Sequence, residues 1–162
     1  MLHEFGHFGA GLMFGLKPHL HFGMTTMAQT TPFREFIVAA AGPMVTALIS
    51  IGGLISLWIQ RRHKVPSPKV WSIWLATFCA LAAGRWLRPP NHLFDEVKLS
   101  AYLGVAPEFL ACAAIALALV ILVMTVLLHE PGKRLIPFSS AILGLCLGII
   151  LWMNVLGPRV LP

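Results

Sequence analysis

Residues 3–7 read His3-Glu4-Phe5-Gly6-His7, inside the opening stretch MLHEFGHFGAGLMFG. The pattern is H-E-x-x-H. On a helix, side chains four apart lie on one face, a turn apart, so His3 and His7 present two imidazoles to the same point. Glu4 is rotated from His3 by about 100°. From there its carboxylate can take a proton from a water activated by a metal without itself being a ligand.

The surroundings make the motif informative. The 162-residue chain is 57% hydrophobic and 11% charged, with mean hydropathy +0.81. Soluble domains carry about 25% charged residues, so the composition points to an integral membrane protein. Ionisable groups in an apolar helix are costly and need partners. A metal ion would supply one partner to both histidines.

A helical membrane span needs about 20 apolar residues. Residues 36–60, 70–87, 109–128 and 136–157 qualify. Residues 1–16 are apolar but short, covering roughly 24 Å against a hydrocarbon core of roughly 30 Å. They lack a basic leading region and hold a Glu between two His, unlike a signal peptide. They read as the last part of a transmembrane helix that would begin upstream of Met1. The expected fold is an all-α polytopic membrane protein: four full spans plus this short or truncated helix. Residues 1–162 form one membrane-embedded domain, with a core at 1–104 and two additional spans in 105–162.

Two connectors are unusual. Residues 17–32, KPHLHFGMTTMAQTTP, are rich in Thr and alternate loosely, as a short strand or hairpin would. Residues 88–104, RPPNHLFDEVKLSAYLG, hold two adjacent prolines and the acidic pair Asp95-Glu96. Gly11 and Gly15, and Gly144 and Gly148, form G-x-x-x-G pairs that permit close helix packing. Cys79, Cys112 and Cys146 lie in apolar runs with no C-x-x-C spacing and read as packing residues.

The net charge of +6 comes from basic residues scattered in ones and twos, without the aromatic-interleaved basic face of a nucleic-acid binder. The partner they suit is a lipid bilayer with anionic headgroups. Alternating spans put Lys17, Arg34, Arg85, Arg88, Lys98 and Arg159 on one side and Arg61, Arg62, Lys64, Lys69, Lys133 and Arg134 on the other. That even split leaves the orientation open.

A catalytic zinc site takes three protein ligands and one water. The third ligand must come from outside the motif. Candidates are Asp95, Glu96, His92, Asn91, His19 and His21. Asp95 is preferred: Pro89-Pro90 stops a helix shortly before it, and its acidic pair leads back into apolar sequence. Glu96 stands in reserve, and His92 and Asn91 are further candidates to bind the metal or orient a ligand.

With these residues in place, the chain resembles the site-2 protease family of intramembrane zinc metalloproteases, as a divergent, N-terminally truncated member. His3-Glu4-Phe5-Gly6-His7 matches that family's motif, including the Gly before the second His. Ala39-Ala40-Ala41-Gly42-Pro43 resembles the Ala-Gly-Pro that opens its next core helix, following a strand-like segment. Asp95 falls where the family supplies its third ligand. The resemblance covers residues 1 to about 104. It differs at Thr46, where the family has Asn, and at Asp95-Glu96, where the family has Asp-Gly.

The resemblance implies one zinc ion held by His3, His7 and Asp95, with Glu4 activating water. It implies that Gly42, Pro43 and Thr46 position substrate or the core helix. The expected reaction is hydrolysis of a peptide bond of a transmembrane protein substrate, within or beside the bilayer of a bacterial or archaeal cell. The strand-like segment would pair with an unwound substrate. The alternatives are a non-catalytic membrane protein of the same fold and a metal-binding transporter.

Overall fold

The computed structural model describes residues 2–21, 24–28, 30–63, 75, 95–128, 139, 142–144, 146–147, 151 and 155. It is mostly helical, with one short two-stranded sheet. The elements run α1 (Leu2–Met13), β1 (His19–Leu20), β2 (Thr25–Thr26), α2 (Pro32–Arg62), α3 (Asp95–Leu103) and α4 (Pro107–Leu128). The chain forms two compact units: residues 1–46, 90–110 and 149–162, and residues 47–89 and 111–148.

Local chemistry sets the helix ends in the first unit. α1 stops at a left-handed glycine, Gly15, with φ of 69°. The Leu16 N–H donates to the Gly11 carbonyl (3.0 Å) and the Gly15 N–H to that of Leu12 (2.9 Å). These are the two bonds of a Schellman cap. Gly104, with φ of 68°, ends α3 in a related way, the Val105 N–H donating to the Ser100 carbonyl at 3.1 Å. Pro32 opens α2, where a missing N–H costs nothing because the first turn has no partner for it. Gly15 therefore serves as a cap, and the close-packing role expected of the Gly11–Gly15 pair is corrected: a Cβ there would meet open space. Gly11 does pack, against Pro18.

Between α1 and α2 the chain makes an antiparallel pair, His19 opposite Thr26 and Leu20 opposite Thr25. The strand-like expectation for residues 17–32 thus resolves into a two-residue hairpin, and its end becomes the start of α2. The expected connector at 88–104 needs correcting at its far end, where residues 95–103 are helical. Asp95 and Glu96 occupy the first turn of α3, where carboxylates favour the helix dipole. Phe36 of α2 stacks on Tyr102 of α3, ring centroids 4.4 Å apart.

α2 runs through an interior proline, Pro43, which removes the bond to the Ala39 carbonyl. Its buried positions are Val38, Ala39, Gly42, Thr46, Ser50, Gly53 and Leu57, which from Ala39 on recur every three or four residues. Five of the seven are small, which allows close backbone approach along that face. In the second unit the buried cluster is Leu75, Ala118 and Ile121, with Ala47 and Leu122 packed against it. Thr125 satisfies its hydroxyl on the Ile121 carbonyl at 2.9 Å, the usual solution for a hydroxyl in apolar surroundings.

Two helices, α2 and α4, are long and apolar enough to cross a membrane. They coincide with the expected spans at 36–60 and 109–128. The spans expected at 70–87 and 136–157 lie outside the described residues apart from scattered positions. Cys112 and Cys146 are free and exposed, contrary to the packing role expected of them, and a Cβ on Gly144 would meet nothing within 4 Å. Cys79 and Gly148 lie outside the described residues.

Candidate metal centre

α1 delivers three polar side chains in two turns of an otherwise apolar helix. His7 is buried and His3 and Glu4 are half-buried. The His3 and His7 Nε2 atoms are 3.1 Å apart. Asp95, the first residue of α3, brings its Oδ2 to 2.9 Å from His3 Nε2 and 3.2 Å from His7 Nε2. Among the described residues, His3, His7 and Asp95 form the group that can hold a metal ion.

The outer ring nitrogens decide what the inner ones present. His7 Nδ1 donates to the Val38 carbonyl at 2.6 Å. A carbonyl only accepts, so that nitrogen carries the proton. Thr46 donates its hydroxyl to the Gly42 carbonyl at 3.1 Å and accepts from His3 Nδ1 at 3.3 Å. Neutral imidazoles held this way turn bare Nε2 lone pairs inward. With both Nε2 atoms bare, neither ring can donate to Asp95 Oδ2, which lies 2.9 and 3.2 Å from them. An ionised carboxylate and two nitrogen lone pairs converge, and only a cation among them, a proton or a metal ion, relieves their repulsion.

The donor set fits a metal. Three ligands of a tetrahedral ion with bonds of about 2.0–2.1 Å stand roughly 3.3 Å apart, slightly wider than the spacings here. Each histidine also has the outer hydrogen bond that metal-ligating imidazoles normally make.

Glycines make the room. A Cβ on Gly42 would overlap the His7 ring and come within 2.8 Å of His3 Nε2. A Cβ on Gly6 would lie 2.6 Å from the Ala41 carbonyl oxygen. Thus α1 meets α2 at Gly6 and Gly42, and the imidazoles occupy the space where a larger residue at 42 would sit.

Glu4 is tied to the hairpin. Thr25, on β2, donates its hydroxyl to Glu4 Oε2 at 2.9 Å and also lies 3.1 Å from the Glu4 carbonyl oxygen.

The other sequence candidates fall elsewhere. Glu96 is buried beside Asp95 but is not one of the three converging ligands. His19 is exposed on β1, and His21 bonds Thr26 across the hairpin at 3.0 Å. Asn91 and His92 lie outside the described residues. Pro43 is half-buried one residue beyond Gly42. Sequence reasoning missed Thr25 and the Val38 carbonyl. The Thr-rich stretch was the one available signal for Thr25, and a backbone carbonyl leaves none.

No family model, curated protein or solved structure matches the chain.

Proposed function

We propose that this protein is a zinc-dependent intramembrane endopeptidase, a multi-pass membrane protein whose apolar runs at 36–60, 70–87, 109–128 and 136–157 all span the bilayer. The observation that carries this reading is the convergence of His3 Nε2, His7 Nε2 and Asp95 Oδ2 within hydrogen-bond distance, beside a carboxylate on the same helix turn. Two nitrogens and one oxygen suit zinc, and three protein ligands leave a position for water or substrate.

The membrane setting is supported by what α4 shows to its surroundings. Phe109, Leu119, Val120, Val123, Met124 and Leu127 all point outward. Burying such side chains is worth about 1.5–3 kcal/mol each. Leaving six in water would forgo on the order of 10 kcal/mol, comparable with the whole stability of a domain. In lipid that penalty disappears.

His3, His7 and Asp95 would hold the ion, which supplies Lewis acidity and makes water more acidic near neutral pH. Glu4 is the general base. It takes a proton from the attacking water as the water oxygen bonds to the scissile carbonyl carbon. It returns a proton to the amide nitrogen as the C–N bond breaks, leaving a carboxylic acid and an amine. Val38 and Thr46 keep both rings turned inward, and Gly42 keeps space for them. The hairpin offers an edge on which an unwound substrate can pair.

The test is to purify the protein, measure zinc, and assay cleavage of a transmembrane substrate with and without Glu4→Gln. Cleavage lost with zinc retained is expected. A wild type that binds no zinc, or a Glu4→Gln variant that cleaves normally, sinks the reading. Bound zinc without cleavage in the wild type would favour a non-catalytic metal protein.

A further inference from the structure

We propose that Thr25 is a positioning residue for Glu4, so that the hairpin, and not α1 alone, sets the orientation of the general base. The inference rests on the protease reading above. Glu4 needs a defined direction to work as a base, yet its side chain has three rotatable bonds and stands on a helix surface. Thr25 Oγ1 meets both ends of that residue, the Oε2 carboxylate oxygen at 2.9 Å and the backbone carbonyl oxygen at 3.1 Å. A hydroxyl has one proton, so these two acceptors share it.

The register strengthens the assignment. The His21 N–H donates to the Met24 carbonyl at 2.8 Å, and Leu20 pairs with Thr25. In an antiparallel ladder, hydrogen-bonded and non-hydrogen-bonded pairs alternate. Residues 21 and 24 are a bonded pair, so Leu20 and Thr25 are a non-bonded one. The backbone N–H and C=O of Thr25 therefore point away from β1, towards the outer edge of β2. One residue thus holds the base with its side chain and offers its backbone to an extended chain. A peptide paired at that edge would restrain the residue that aims Glu4, linking substrate docking to alignment of the base.

The test uses the full zinc-loaded protein in bilayers. Thr25→Val removes the hydroxyl at nearly constant shape, and Thr25→Ser keeps it. The valine variant is expected to lose about ten- to a hundredfold in kcat with zinc content unchanged, and the serine variant to stay within about threefold of wild type. A valine variant within twofold of wild type overturns the proposal. So does a serine variant as impaired as the valine one, since that marks a packing role. A readout independent of activity is the Glu4→Cys/Thr25→Cys pair in a background where Cys79, Cys112 and Cys146 are Ser. Mild oxidation should link most molecules through residues 4 and 25, detected by peptide mapping. No link overturns the contact itself. A link in a chain whose wild type never cleaves overturns the catalytic role and the protease reading while leaving the contact standing.

Discussion

Gly6 of α1 and Gly42 of α2 meet backbone to backbone: a Cβ on Gly6 would come within 3.0 Å of the Gly42 Cα and 2.6 Å of the Ala41 carbonyl oxygen. The contact places His7, one residue after Gly6, against the Val38 carbonyl one turn before Gly42. Gly6→Ala must push the helices apart and should cost about 1–3 kcal/mol of stability, as overpacking does. Gly42→Ala displaces both rings and should lose most bound zinc. Gly52→Ala is the control, because a Cβ there meets nothing within 4 Å, and it should leave zinc content unchanged. Thermal unfolding and metal analysis of the three variants check this. Full zinc binding by Gly42→Ala would contradict it.

The two neighbouring carboxylates of α3 should separate cleanly. Asp95→Ala removes an oxygen that sits within 3.2 Å of both imidazoles and should abolish zinc binding at micromolar metal, as should His3→Ala and His7→Ala. Glu96→Ala should retain it. Equal losses from Asp95→Ala and Glu96→Ala, measured by metal titration, would show that Asp95 is not the particular ligand.

Thr46 would act on a bound metal through His3. Removing a group that orients a ligand lowers metal affinity by about 10- to 100-fold. Thr46→Val should show that loss, because it deletes the acceptor for His3 Nδ1. Thr46→Ser should recover affinity. Competition with a chelator of known strength measures both.

Gly15 and Gly9 give predictions of opposite sign at one helix. Gly15 has φ of 69°, which an L side chain adopts at a cost of about 1–2 kcal/mol, so Gly15→Ala should lower the Tm. Gly9 sits within α1 with open space at its Cβ, and Gly9→Ala should raise stability by about 0.5–1 kcal/mol. The same sign from both variants would argue against this helix end.

Much of the centre was readable before any fold. The four-residue spacing puts His3 and His7 on one face of any helix that contains them, because the period is a property of the backbone and needs no partner. The apolar runs that become α2 and α4 were equally plain, since nearly every side chain in them avoids water. Residues 17–32 announced extended structure through their threonines.

Other features needed the chain to close. Asp95 and Glu96 are adjacent, of one chemistry, and about 100° apart on a helix. Which of them reaches the histidines depends on how α3 docks, to which the Phe36–Tyr102 stack contributes. The run 88–104 read as a connector because its prolines outweighed a short amphipathic turn. Gly11 and Gly15 look alike in a G-x-x-x-G pattern, yet one packs on Pro18 and the other caps, a difference that lies in φ and not in residue type. The Val38 carbonyl and the Thr25 hydroxyl are invisible in sequence for a related reason: every residue has a carbonyl and threonines are common, so only their distances from His7 Nδ1 and Glu4 Oε2 single them out. Periodicity is local and survives in the sequence, whereas the choice of partner is set by contacts between segments tens of residues apart, which only the tertiary structure determines.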